Sequence, residues 1–272
     1  MANITPEEHL DDVLIRYDGS PDPRLAQITT AAIRHLHAFV EEVNLTREEW
    51  FTGIQTLTAI GHLCDDNRQE FILLSDTLGV SMLVEMLNQA GAAGSTEPTV
   101  FGPFHVDGAP RKEMGESIVI DPSEADVPVL LKGRVTDLDG NPIAGAELDV
   151  WQTAANGMYD VQDTAQTPMN QRGVFTTGVD GTYEIRSIRP VAYPIPGDGP
   201  AGALLFDNGR HNWRPGHTHF VVSAPGYKSV ITHLFDSDSD YLDSDAVFGV
   251  RDSLIVDMSG GECDFDFVLD TE

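Results

Sequence analysis

Apolar residues change their spacing along the chain near residue 90, which separates two parts of different secondary structure. Before that point they recur every three to four positions, as on one face of an amphipathic helix. This pattern predicts four helices, which begin after Thr5, span 25–43, begin after Thr46 and span 67–88. Each of the two threonines is followed three residues later by a glutamate, the capping box that starts a helix. We expect a helical layer with one apolar face turned inward.

Beyond the small and polar stretch 91–98, apolar residues alternate with polar ones in short runs, which is the period of β-strands. Glycine and proline separate these runs, as in a sandwich of antiparallel strands. Six strands are predicted, over 129–135, 146–151, 182–186, 217–223, 229–235 and 254–258. The predicted fold class is therefore α+β, with a helical N-terminal domain over residues 1–98 and an antiparallel β-sandwich over residues 99–272.

The charge balance narrows the range of partners. Asp and Glu number 44 against 16 Lys and Arg, a net charge of −28. Affinity for nucleic acid comes mainly from basic residues that neutralise phosphates, so we expect no nucleic-acid partner, and the same charge disfavours anionic membranes. The two cysteines cannot build a disulfide framework and no signal segment is visible, which favours a cytoplasmic protein. The acidic stretch 236–245 lacks the glycine and glutamate of a calcium loop and is expected to be solvated.

Two histidines are the first candidates for chemistry. His217 and His219 alternate along a predicted strand, so both imidazoles lie on one face and can bind a single metal ion. His35 and His37 have the same spacing in a predicted helix, where such positions diverge by about 200°. A pair on a strand also occurs in ordinary protein cores, and the spacing alone leaves that alternative open.

Two tyrosines offer further metal ligands. Tyr159 and Tyr193 lie in turn-like segments beside glycine or proline, although either could be a packing residue. A phenol has a pKa of about 10, so it binds at neutral pH only to a strongly Lewis-acidic cation that stabilises the phenolate. Two phenolate oxygens and two imidazoles suit Fe(III) better than zinc or magnesium.

Three segments resemble the intradiol ring-cleavage dioxygenases, non-haem Fe(III) enzymes that open catechols between their two hydroxyls. They are LDVWQTAANGMYDVQ, RPVAYPIPGDGPAG and GRHNWRPGHTH, and the likeness extends over nearly the whole chain. Two more, QEFILLSDTLGVSMLV and EPTVFGPFH, resemble the branch of the family that acts on hydroxyquinol, 1,2,4-trihydroxybenzene. The resemblance implies a catalytic sandwich and a homodimer formed through the helical domain. It also implies cleavage of hydroxyquinol by O2 to 3-hydroxy-cis,cis-muconate, equivalent to maleylacetate.

The resemblance also assigns residues. It implies that one Fe(III) per chain is bound by Tyr159, Tyr193, His217 and His219, and that Tyr193 and His219 are axial. Tyr193 matches the phenolate that leaves the metal when substrate chelates. Arg214 matches the pocket arginine, which would stabilise charge on the reacting ring. The other positions that match the lining of the ring pocket are Leu73, Asp76, Val100, Phe101, Gly102, Pro103, Phe104, Ile195 and Pro196.

Two residues keep alternative roles. His233 stands where intradiol enzymes that act on catechol commonly carry glutamine, so it could supply a similar hydrogen bond, or titrate where glutamine cannot. A third iron-directed imidazole is a further alternative. Asp76 could bind the extra ring hydroxyl of hydroxyquinol or could cap the helical turn that follows it.

Other functions also fit parts of the sequence. Within the family, catechol or a chlorocatechol is the alternative substrate, because one or two pocket contacts decide this preference. Residues 130–151 also resemble the β-sandwich modules that occur as accessory or adhesion domains, a non-enzymatic alternative. The two histidines and two tyrosines favour the enzyme, because an adhesion module has no need of them.

Overall fold

A computed structural model describes residues 4–65, 68–89 and 91–272 of the chain. Contacts within it define two compact units, one up to Ala59 and one from Ile60 onward. The domain boundary after residue 98 stays a prediction. Residue 67, the expected start of the fourth helix, lies outside the described residues. None of the described helices is both long enough and apolar enough to cross a bilayer.

The first unit contains α1 (Pro6–Asp18), α2 (Pro23–Glu42) and most of α3 (Arg47–His62). Both predicted capping boxes are confirmed: Thr5 Oγ accepts a hydrogen bond from the Glu8 amide, and the Glu8 carboxylate accepts one from the Thr5 amide. Thr46 and Glu49 form the second. The apolar stripes of α2 and α3 are exposed rather than turned inward. Their exposed members are Leu25, Ile28, Leu36, Phe39, Val40, Trp50, Phe51, Ile54 and Leu57.

The prediction of a single fourth helix was wrong, because two helices occupy that part of the chain. These are α4 (Glu70–Thr77) and α5 (Val80–Asn88). Gly79 separates them with a φ of +73°, a left-handed conformation that interrupts a right-handed helix and that glycine adopts without steric cost. The apolar spacing continues across this glycine, so periodicity alone does not reveal the break.

The second unit continues with eleven described strands and one further α-helix. In chain order they are β1 (Pro128–Asp137), β2 (Glu147–Trp151), β3 (Arg172–Thr176), β4 (Thr182–Ile188), β5 (Tyr193–Pro194), α6 (Pro200–Asp207), β6 (Trp213–Arg214), β7 (His217–Ser223), β8 (Val230–Asp236), β9 (Ile255–Val256), β10 (Glu262–Asp264) and β11 (Phe267–Leu269). Each of the six predicted strands is present. The sequence pattern missed α6 and five strands, β3, β5, β6, β10 and β11.

The strands form two main sheets. In the first, β1 pairs with β4, β10 and β11, and the second has the order β3-β2-β7-β8-β9. Apolar side chains of both sheets share one buried core, for example Leu131 and Ile185 from the first and Leu148 and Phe220 from the second. The predicted α+β class with a sandwich is confirmed. The sheets are mixed rather than purely antiparallel, because β1 pairs in parallel with β10 and β11, and β8 with β9.

Candidate metal centre

The four predicted ligand side chains converge on one point. Tyr159 Oη lies 3.1 Å from Tyr193 Oη and 2.9 Å from His219 Nε2, and His217 Nε2 lies 3.1 Å from His219 Nε2. Two ligand atoms about 2.1 Å from one ion and at right angles to each other are about 3 Å apart, so these spacings suit a shared ion. All four side chains are buried.

The sheets explain how residues distant in sequence meet here. His217 and His219 lie on β7 and project to the same face, as the alternation predicted. Tyr193 lies on β5, directly opposite Arg214 of the paired strand β6. Trp151 at the end of β2 is opposite His219 and stacks on its ring, with the ring centres 4.6 Å apart.

The surroundings of both histidines favour the neutral form, which binds a metal. His217 Nδ1 lies 2.7 Å from the carbonyl oxygen of Pro215, the distance of a hydrogen bond in which the ring nitrogen donates. This bond leaves the Nε2 lone pair for the cluster. Burial lowers the pKa of His217 and of His219, and positive charge on Arg214 acts in the same direction. Both rings are therefore neutral near pH 7.

The tyrosines require a strongly Lewis-acidic partner. Burial raises the pKa of the Tyr159 phenol, and the proximity of Tyr193 raises it further. Without a cation the Tyr159 phenol keeps its proton, whereas a hard trivalent ion would stabilise the phenolates of both tyrosines. Two hard oxygens and two neutral imidazoles in a buried site fit ferric ion by the chemistry of the donor set.

An ion pair that the sequence did not reveal anchors the segment of Tyr159. Arg172 Nε and Nη2 donate to Asp160 Oδ1 at 2.8 and 2.6 Å, and the amide of Met169 donates to Asp160 Oδ2 at 2.7 Å. Both charged side chains are buried. Because Asp160 is the neighbour of Tyr159, this pair fixes the backbone from which the phenol projects.

Arg214 lies beside the four side chains. Its Nη1 lies 3.1 Å from His217 Nε2, and its Nε and Nη2 donate to Asp245 at 3.0 and 3.3 Å. The expectation of a solvated stretch over 236–245 was wrong at both ends, because Asp236 and Asp245 are buried. Each of them pairs with an arginine, Asp236 with Arg189 and Asp245 with Arg214. These partners are far apart in sequence, so no local pattern indicates them.

His233 belongs to the same cluster. It lies on β8 directly opposite His219, with ring centres 4.0 Å apart, and its ring stacks on His217 at 4.6 Å. The nitrogens that the three imidazoles offer lie within 4.8 Å of one another. Burial lowers the pKa of His233 well below its usual value, with His219 acting in the same direction, so this ring is also neutral near pH 7.

Several predicted pocket residues surround the ligand cluster. Leu73, Val100 and Ile195 belong to the buried apolar cluster that also contains Tyr159 and Tyr193. Phe104 stacks on Tyr159 with ring centres 4.6 Å apart. A Cβ atom at Gly102 would lie 3.3 Å from the His219 ring. Phe101 and Pro103 are exposed and Pro196 is partly buried.

Asp76 lies near the C-terminal end of α4 and is buried. Burial raises the pKa of its carboxyl group, whereas a hydrogen bond with Ser81 and the charge of Arg214 lower it. The residue that begins α5 has no side-chain cap. Asp76 thus interacts with Ser81 in the first turn of α5 and with the charge of Arg214, and both of its alternative roles stay predictions.

Comparison with known proteins gives consistent matches over nearly the whole chain. The family described as "Dioxygenase" matches residues 100–271, and the one described as "Catechol dioxygenase N terminus" matches residues 22–96. The chain is 52% identical to a 6-chlorohydroxyquinol 1,2-dioxygenase of Cupriavidus pinatubonensis, with 94% of each chain covered. It is 48% identical to a hydroxyquinol 1,2-dioxygenase of a Rhizobium species, over 93% of this chain and 85% of that one.

Solved structures agree with these matches. A hydroxyquinol 1,2-dioxygenase from Pseudomonas putida superposes with a TM-score of 0.92 at 47% identity, over 98% of this chain and 99% of that one. The catechol 1,2-dioxygenase of Acinetobacter radioresistens gives a TM-score of 0.85 at 28% identity, over 98% and 94%.

Proposed function

Because this chain belongs to the intradiol ring-cleavage dioxygenase family, we propose that it opens hydroxyquinol between its vicinal hydroxyls with O2. The product would be 3-hydroxy-cis,cis-muconate, equivalent to maleylacetate. The observation that carries the proposal is the convergence of Tyr159, Tyr193, His217 and His219 beside Arg214. The relatives with the highest identities quoted above act, by their names, on hydroxyquinol or its 6-chloro derivative.

The two tyrosines and two histidines would hold one Fe(III) per chain. When bound, this ion supplies a Lewis acid that chelates the diol and makes its ring reactive toward O2. Tyr193 Oη, as a phenolate, would accept one of the two protons that the incoming diol loses, and a hydroxide from water would accept the other. Arg214 is cationic at any physiological pH and stabilises the negative charge that develops on the ring. The apolar cluster around Leu73 and Ile195 excludes water from the reacting ring.

The iron content and colour of the purified protein test this proposal. We expect one ferric ion per chain and a burgundy-red colour from phenolate-to-iron charge transfer. Oxygen uptake should accompany consumption of hydroxyquinol. Elemental analysis, a visible spectrum and an oxygen electrode measure these three properties. A folded protein that stays colourless and iron-free after ferric loading would instead support the β-sandwich binding module.

The substrate preference depends on few contacts. Catechol or a chlorocatechol remains the alternative substrate, and a curated relative at 39% identity is named catechol 1,2-dioxygenase. Asp76 favours hydroxyquinol, because a buried polar group that expects a hydroxyl is left unpaired by a substrate that lacks it. A comparison of oxygen uptake with hydroxyquinol, catechol and chlorocatechol separates the alternatives.

Replacing Asp76 by alanine should narrow the preference for hydroxyquinol over catechol. We expect the ratio of the two kcat/KM values to fall by about tenfold, since such contacts are worth about 1–3 kcal/mol. Steady-state oxygen uptake with both substrates measures this ratio. Glu70→Gln is the matched control, because Glu70 is a second buried acid of α4 and accepts its hydrogen bonds from Arg68 and the Ala201 amide. An unchanged ratio in Asp76→Ala would show that Asp76 does not contribute to the preference for hydroxyquinol.

We also propose that the protein is a homodimer formed through its N-terminal helices. The exposed apolar residues of α2 and α3 support this, because extensive exposed apolar surface is typical of protein interfaces. Sedimentation at twice the 29.6 kDa of the chain is expected, and the mass of one chain would contradict it. A cytoplasmic location also remains a proposal, supported by two cysteines that are both unpaired.

A further inference from the structure

The carboxylate of Asp245 lies against one edge of the Arg214 guanidinium and has four hydrogen-bond donors around it. Oδ1 accepts from Arg214 Nε at 3.0 Å and from the Val247 amide at 3.3 Å. Oδ2 accepts from Arg214 Nη2 at 3.3 Å and from the Gly249 amide at 2.9 Å. Each oxygen thus accepts one hydrogen bond from the arginine and one from the backbone. Both charged side chains are about 97% buried.

The segment 245–249 is itself fixed to the rest of the second unit. Thr99 Oγ1 donates to the carbonyl oxygen of Gly249 at 2.9 Å. Arg210 donates to the carbonyl oxygen of Ala246 at 3.0 Å, and the Ala246 amide donates to the Trp213 carbonyl oxygen. A Cβ atom at Gly249 would lie only 2.9 Å from Thr99 Oγ1. This packing holds the Asp245 carboxylate in place.

We propose that Asp245 is a positioning residue for ring cleavage. It occupies the Nε and Nη2 edge of Arg214, so that Nη1 is the terminal nitrogen directed at the ligand cluster, 3.1 Å from His217 Nε2. A guanidinium has five donors in a rigid fork, so fixing one edge also fixes the direction of the remaining nitrogen. The proposal rests on the proposed function, in which Arg214 stabilises charge on the reacting ring.

The position requires a carboxylate because all four contacts are donors. An asparagine amide offers only one acceptor oxygen, and its NH2 group would face two N–H donors whichever way it is turned. The negative charge also compensates a buried cation. Burial lowers the pKa of Arg214, but Asp245, together with Tyr193 and Tyr159, raises it overall.

Asp245→Asn tests this role. We expect kcat/KM for hydroxyquinol cleavage to fall by about 10²-fold, the effect of displacing a group near the reacting atoms by about 1 Å. Iron content and the visible phenolate band should not change, because no proposed ligand is altered. Asp236→Asn is the matched control, since Asp236 lies in the same acidic stretch, is also buried and pairs with Arg189. It should lower stability but leave kcat/KM unchanged.

A double-mutant cycle separates positioning from a general loss of structure. If Asp245 acts through Arg214, Asp245→Asn should cause little further loss of kcat/KM in a protein that already carries Arg214→Gln. Equal losses in the two backgrounds would overturn the proposal. Asp245→Glu is the second variant if Asp245→Asn does not fold, because it keeps the compensating charge and moves the carboxylate. Its kcat/KM should also fall, and full retention of activity would overturn the role.

The wild-type protein distinguishes failure of this inference from failure of the proposed function. If iron-loaded wild-type protein turns over no aromatic diol, the proposed function fails, and the role of Asp245 fails with it. If wild type and the Asp245 variants turn over hydroxyquinol equally well, only the positioning role is overturned.

Discussion

Replacing Tyr159 by phenylalanine is expected to reduce both bound iron and ring cleavage. We expect kcat/KM to fall by well over about 10²-fold. Loss of a residue that only hydrogen-bonds to a metal ligand costs at most about that much, and Tyr159 is itself a proposed ligand. The substitution removes the oxygen that lies 2.9 Å from His219 Nε2 and 3.1 Å from Tyr193 Oη. It keeps the ring that packs on Phe104, so the fold should survive. Iron analysis, the visible spectrum and oxygen uptake measure the outcome.

Tyr183→Phe is the matched control for this prediction. Tyr183 is as deeply buried as Tyr159, but it lies in the sandwich core, where its hydroxyl donates to the Phe265 carbonyl oxygen at 2.7 Å. Its loss should lower the free energy of unfolding by about 1 kcal/mol and leave iron and colour unchanged. A Tyr159→Phe protein with full colour and turnover would show that Tyr159 is not a ligand.

Arg214→Gln should lower kcat by about 10²–10³-fold while iron remains bound. This is the size of effect expected when one preorganised donor to developing negative charge is removed from a buried site. The four proposed ligands are untouched, so the colour of the protein should persist. Steady-state oxygen uptake, normalised to the iron content of folded protein, measures the loss.

Stability and activity must be separated in this variant. Removing the arginine leaves Asp245 as a buried charge without its partner, which costs about 3–5 kcal/mol of folding free energy. Arg189→Gln is the control, because it breaks another ion pair of the second unit, the one with the buried Asp236. This variant should keep the kcat of the wild type. A wild-type kcat/KM in Arg214→Gln would exclude a role for this arginine in the reaction.

Local sequence patterns determined most of the secondary structure. The capping residues Thr5 and Thr46 begin helices because the side-chain oxygens that satisfy the free amides lie within four residues of them. The two-residue period places His217 and His219 on one face of β7, since neighbouring side chains of a strand point to opposite sides. The motifs around Tyr159 and Tyr193 identified the remaining ligand candidates by resemblance.

Strand pairing and burial decided what these patterns could not. His233 meets His219 because β7 and β8 pair in one particular register. Asp245 reaches Arg214 across 31 positions of sequence, from a stretch whose composition indicates a solvated loop. A charged side chain that is buried loses its contact with water and needs a charged partner, which only the packed fold provides. A solvated charged residue and a buried, paired one therefore look alike in sequence. The sequence by itself thus determined the local elements and the ligand candidates, and only the tertiary structure decided which charged and polar groups surround them.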